Sequence, residues 1–201
     1  MSEKIVFLVR TSFFSRSRLL TISPESVSIG MSTEGDSQLS IPKDDVDSIR
    51  YTARRVRYYF YLYTYFKIDI RGFSGQTIRI RLFSLFGYHK KQIANRYGDI
   101  LQYLYHHFFR DLVLHYLDLF ANGIDFDIAG LVFTQQGIKF SNKAEMIPWQ
   151  EVDTRDYLSY FSVFSKKDNY NYRAYNYWDD WNTTILNTVI ISILKRKELV
   201  P

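Results

Sequence analysis

Residues 58–71, YYFYLYTYFKIDIR, repeat with a period of two. Phe60, Leu62, Phe66, Ile68 and Ile70 fall on one side with Thr64; Tyr59, Tyr61, Tyr63 and Tyr65 fall on the other and run on into Lys67, Asp69 and Arg71. Strand side chains alternate between faces, so this pattern predicts a long strand with one core face and one half-wet face. Gly72-Phe73-Ser74-Gly75 punctuates it, and 76–85 predicts a partner strand with Ile78, Ile80 and Leu82 inward. Strands are also expected at 157–164 and 170–178, parted by the polar turn 166–169, and the β-branched run 183–194 is expected to close the chain as a strand. The period changes to that of a helix between about 89 and 120, where Ile93, Tyr97, Ile100, Leu101, Leu104, Phe108, Leu112 and Tyr116 recur at helical spacing. Gly98 inside it costs about 1 kcal/mol relative to Ala and is an expected kink site. Asn122-Gly123 supplies a stop.

A second pattern is repetition. RLLTISPESVSIGM (18–31) and AGLVFTQQGIKFSN (129–142) each read as strand, polar turn, strand. Further on, Ile41-Pro42-Lys43-Asp44-Asp45-Val46-Asp47 matches Ile147-Pro148-Trp149-Gln150-Glu151-Val152-Asp153, with Val-Asp following Ile-Pro at the same interval. Two matches in the same order predict an internal duplication. The helix between the copies is apolar round nearly its whole circumference from Leu101 to Phe120, LQYLYHHFFRDLVLHYLDLF. Such a helix is normally covered on several sides. Its first half is therefore expected to cap the first copy and its second half to touch the second, unless a partner covers the remainder.

The stretches RLLTISPESVSI with LSIPKDDVDSI, and LVFTQQGIKF with MIPWQEV, followed by a meander and an amphipathic helix, resemble the pleckstrin-homology (PH) superfold. The bacterial PH-like and GRAM-like members are the nearest match. The resemblance implies an α+β protein built from two PH-like, strongly bent antiparallel sheets or partial barrels with one long helix between them. Residues 1–122 would form a PH-like unit ending in that helix, at about 89–121, and 123–201 a second PH-like unit lacking its own capping helix.

Composition narrows the chemistry. The chain of 201 residues has no cysteine, which removes disulfides, thiolate metal sites and a Cys nucleophile. The N-terminus is a poor signal peptide, and 183–194 is short of the ~20 residues a membrane helix needs. A cytoplasmic location is expected. The net charge of +5 lies wholly in residues 1–88, which hold thirteen Lys or Arg against eight Asp or Glu. Such a basic portion suits an acidic protein, an anionic lipid surface or nucleic acid. Arg54, Arg55 and Arg57 are expected in the turn before the tyrosine strand. With Tyr59, Tyr61, Tyr63 and Tyr65 they form the candidate partner-binding set, because exposed aromatic patches mark interaction sites. The alternative is that these rings lie buried under the helix or the second copy. Phosphoinositide-binding PH domains place basic residues in their first inter-strand loops, whereas Ser23-Pro24-Glu25-Ser26 and 32–36 here are acidic. No His, Asp or Glu spacing fits a zinc site, and no nucleophile elbow or phosphate loop occurs. No catalytic, cofactor-binding or metal-ligating residue is expected. The expectation is an adaptor or scaffold that holds a protein partner or self-assembles. A peripheral binder of anionic lipid head groups is the alternative, and nucleic-acid binding ranks behind both.

Overall fold

The computed structural model describes residues 4–10, 15–30, 38–58, 61–168 and 170–199. The chain divides into two compact units, Met1–Arg110 and Asp111–Pro201.

In the first unit, β1 (Ile5–Val9), β2 (Arg18–Ile22), β3 (Ser26–Gly30) and β4 (Leu39–Pro42) form an antiparallel sheet in chain order. Pro42 cannot donate to a ladder, and a single 3-10 turn at Lys43–Asp45 then turns the chain away. It starts a second sheet of β5 (Val46–Tyr58), β6 (Tyr61–Gly72) and β7 (Thr77–Leu85). The Arg81 N–H donates to the Arg10 carbonyl (2.7 Å), tying β7 to the chain just past β1. Helix α1 (Lys90–Leu104) follows, then one π turn at Tyr105–Phe109. Ile68, Ile70, Ile78 and Ile80 are buried on the inner face of the second sheet, and the helix contributes Ile100, Leu104, Phe108 and Phe109 to the core. Phe66 meets Tyr97 at 5.0 Å between ring centres, and Tyr51 stacks on Phe109 at 5.8 Å. Burial raises the Tyr97 phenol above its ordinary value. Helix α1 runs unbroken through Gly98; the irregularity lies at the π turn Tyr105–Phe109.

The second unit repeats this order. After α2 (Arg110–Ala121) come β8 (Phe126–Ile128), β9 (Leu131–Phe133), β10 (Gly137–Phe140) and β11 (Met146–Pro148) in one sheet. A 3-10 turn at Trp149–Glu151 leads to β12 (Val152–Asp156), β13 (Tyr160–Ser165) and β14 (Tyr172–Asn176), and then to α3 (Thr183–Arg196). The equivalence extends to single hydrogen bonds. Ser23 and Thr134 hold the β2–β3 and β9–β10 turns with the same bonds, their hydroxyls accepting from the N–H of Ser26 and Gly137 (both 3.2 Å). Ile41 pairs with Val27 as Ile147 pairs with Ile138. The Lys43 N–H donates to the Glu25 carbonyl as Trp149 donates to Gln136. Even the residue before each following helix is left-handed, His89 at φ 52° and Asn182 at φ 58°.

Within this unit the Trp149 ring lies 5.5 Å from that of Phe120 on α2 and 6.1 Å from Phe133, while its indole N–H donates to the Thr134 carbonyl (3.0 Å). Gly137 is required because a Cβ there would collide with the Ile147 carbonyl. Tyr175 is fully buried between Phe161 and the Arg173 guanidinium, and its hydroxyl finds no hydrogen-bond partner among the described residues. An unpartnered buried hydroxyl is costly, so Tyr175→Phe is expected to stabilise the protein by about 1 kcal/mol. Burial also raises the Tyr175 phenol. The folded state therefore resists ionising it, and the wild type loses stability as pH rises past the unfolded value of about 10. Melting curves at pH 7 and above pH 10 check both effects; the Phe variant should lead at both, and by more at the higher pH.

Two expectations are corrected. Among the described residues each unit carries two sheets, so there are four antiparallel sheets in place of two bent ones, and none closes into a barrel. The cause is the Pro-plus-3-10 step, which breaks the ladder between the fourth strand and the fifth. The run 183–194 is helix, not strand, so the second unit does have a helix of its own. Ile185, Leu186, Val189, Ile190, Ile193 and Leu194 are buried, a period that only a helix presents to one surface. Burying each is worth about 1.5–3 kcal/mol, against β-branched penalties of at most ~0.7 kcal/mol per residue. No helix among the described residues is long and apolar enough to cross a membrane.

Candidate interaction surfaces

The outer face of the β5–β6–β7 sheet gathers charge at one end and aromatic rings at the other. Its centre is Asp69, which has no exposed surface. Arg50 Nε lies 2.9 Å from Asp69 Oδ2, Lys67 Nζ 3.6 Å from the same oxygen, and Arg81 2.5 Å from Oδ1. The Arg81 contact is an ion pair and not a well-aligned hydrogen bond; the same nitrogen donates to the carbonyls of Ile68 (3.2 Å) and Ile80 (2.9 Å). Three cations thus converge on one carboxylate, two of them, Lys67 and Arg81, buried. Arg71 bonds Asp47 (3.2 Å) and the Ser48 hydroxyl (2.9 Å), and Arg79 projects into solvent opposite Asp69. Toward the hairpin end the same face carries Tyr63 and Tyr65, both half-buried, with Tyr65 4.8 Å from Phe83. Burial raises the Tyr65 phenol, with Arg81 pulling the other way.

The candidate set divides on this sheet. Arg54, Arg55 and Arg57 lie inside β5 and not in a turn, because the β5–β6 ladder runs on to the pair Tyr58 and Tyr61. Arg54 pairs with Tyr65 and shares its face, exposed. Arg55 occupies the register position opposite Thr64 and Arg57 the one opposite Leu62, so neither is in the Tyr63–Tyr65 rows. Tyr61 is in β6 by register; Tyr59 lies outside the described residues. Arg54, Tyr63 and Tyr65 are therefore the members brought together.

The corresponding face of the second unit holds a surface that sequence reading overlooked. Counting back from the pairs Val46–Gly72 and Val152–Ser165, the positions of Arg71, Asp69 and Lys67 correspond to Phe164, Ser162 and Tyr160. Arg155, Ser162 and Ala174 form one cross-strand row, flanked by the Phe164–Tyr172 row on one side and Tyr160 on the other. The result is a groove of about 580 Å³ with a small-residue floor and aromatic walls. Tyr157 stacks on Tyr160 at 4.5 Å, and the Arg155 guanidinium sits 5.9 Å from the centre of the Phe164 ring. The signal was present in the sequence: Tyr160, Ser162 and Phe164 alternate with buried Phe161 and Val163, the same alternation that marked β6.

Among the described residues, no three His, Asp or Glu side chains gather where a metal ion could be held. No protein-family profile, curated protein or solved structure matches this chain.

Proposed function

We propose that the protein is a non-enzymatic, cytoplasmic adaptor built from tandem PH-like units, which holds a protein partner or a second copy of itself on the outer face of β5–β7. The observation that carries this reading is the joint face of Arg54, Tyr63 and Tyr65, running into the cluster of Arg50, Lys67 and Arg81 about Asp69. Half-buried Tyr rings offer contact area at low conformational cost, and surplus positive charge steers an acidic partner. The repeated order of seven strands and a helix supports the PH-like resemblance. The same charge also suits an anionic lipid surface, which is the second reading.

A photo-crosslinking amino acid placed at Tyr63 tests the choice. The adaptor reading expects a discrete protein adduct, homotypic or not, that disappears when Arg54→Glu is added and survives Arg55→Glu. Salt-sensitive sedimentation with phosphatidylserine vesicles and no protein adduct would move the assignment to lipid. Neither adduct nor vesicle binding would remove both.

A further inference from the structure

We infer that the groove on the outer face of β12–β14 is a receptor for an extended peptide that presents an aromatic or large aliphatic side chain next to a carboxylate. This surface belongs to the second unit and does not depend on the β5–β7 reading.

The aromatic anchor follows from shape. Ser162 and Ala174, directly paired, make a low floor. Phe164 and Tyr160 stand four residues apart along β13, about 13 Å at strand rise. The open groove, of about 580 Å³, lies within the range of ~300–1,000 Å³ typical of ligand-sized sites. Its walls are wet: Tyr157 is 41% exposed and Tyr172 57%. An apolar group entering between them removes ring surface from water on both sides and meets π faces suited to stacking.

The carboxylate follows from charge. Arg155 is exposed, and its guanidinium makes one contact among the described residues, the Phe164 ring. No carboxylate there pairs with it. Asp153, in the adjacent row opposite Phe164, accepts from the Thr154 N–H (2.8 Å), and Asp156, on the other face, accepts from the Tyr177 hydroxyl (2.8 Å); neither forms an ion pair with Arg155. A guanidinium has five N–H donors in a planar fork that matches a carboxylate bidentately. The register of Arg155 opposite Ser162 sets that fork at the β12 end of the floor.

A peptide, and not a small acid, follows from extent. Leu158 is fully exposed just before β13, and Tyr170 is 90% exposed in the turn just after it. Exposed apolar side chains thus flank both ends of a strand about 20 Å long, a span that suits an extended chain.

Three fluorescein-labelled octapeptides test this by anisotropy on the full chain. They are Gly-Ser-Trp-Ser-Glu-Ser-Trp-Gly, in which the Trp and Glu side chains share one side of the extended chain, its Gln-for-Glu version and its Ser-for-Trp version. The first is expected to bind, and the other two to bind at least about tenfold more weakly. Arg155→Glu is expected to weaken the first by about tenfold or more while leaving the Gln version unchanged, and Ser162→Trp, which fills the floor, to abolish both. Arg155 is exposed, so its variant keeps the fold even if Ser162→Trp does not; thermal melting confirms this. Tyr63→Ser in the other unit should change nothing. Equal binding of all three peptides, indifference to Arg155→Glu, no binding at millimolar peptide, or preference for an oligouridylate probe each overturns the inference.

Discussion

Replacing Asp69 by Ala is expected to cost about 3–5 kcal/mol of unfolding free energy, enough to leave a marginal domain largely unfolded. Asp69 is wholly buried, and Lys67 and Arg81 are buried beside it. Removing the carboxylate takes the Asp69 counter-charge from the Lys67 ammonium and the Arg81 guanidinium, whose side chains are only 8% and 10% exposed. Arg50, with 21% of its side chain exposed, can turn outward and contributes less to the penalty. The cost therefore comes from the cations left behind and not from the value of the ion pairs themselves. That argument makes a second, opposite expectation. Changing the set together, Asp69→Leu with Lys67→Met and Arg81→Met, should recover most of the loss, since a buried ion cluster is often no better than packed hydrocarbon. Urea titrations of the two variants check it. A loss under about 1 kcal/mol for Asp69→Ala would mean that water reaches the cluster.

Val189→Asp and Ile190→Asp are expected each to cost more than about 4 kcal/mol and to abolish the cooperative unfolding of the second unit. Both side chains have no exposed surface in α3. The pair is informative because the positions are adjacent. On a strand, neighbours point to opposite faces, so one substitution would be severe and the other mild. On a helix whose buried positions come in pairs, 185–186, 189–190 and 193–194, both are severe. Far-UV circular dichroism with denaturant titration reads the outcome, and a mild effect at either position would reinstate the strand.

The reason α3 was illegible is local. Its β-branched residues favour a strand, and its N-cap Asn182 makes no side-chain cap bond. The left-handed residue before it is Asn182, and the one that ends it is Glu198, at φ 57°, where a glycine would have announced a stop. Thr188 gives its hydroxyl to the Thr184 carbonyl (2.8 Å), a back-bond that quiets a poor helix former inside the element. The long helix was legible for the opposite reasons: a sustained apolar period, and Gly123 at φ 72° just beyond Ala121. The alternation in β6 was legible too, because Phe66, Ile68 and Ile70 face one packed surface. What alternation could not reveal was where the β5–β6 hairpin turns, and so three arginines expected together were separated by one-residue steps of register. The β12–β14 groove was missed because its partners come from three separated strands, and cross-strand rows are fixed by pairing, which no local pattern records.

The two units keep the same turn bonds, the same Ile-Pro step and the same inward hydrocarbon, yet their outer sheet faces differ in kind, an ion cluster in one and an aromatic trough in the other. Selection acting on recognition can rewrite exposed Arg54 and half-buried Tyr63, or Arg155, Tyr160 and Phe164, without disturbing the ladders that hold them, whereas buried Lys67 and Asp69 belong to what secures the fold. With the turn bonds and the Ile-Pro step held constant, a protein engineer could load either outer face with a new specificity.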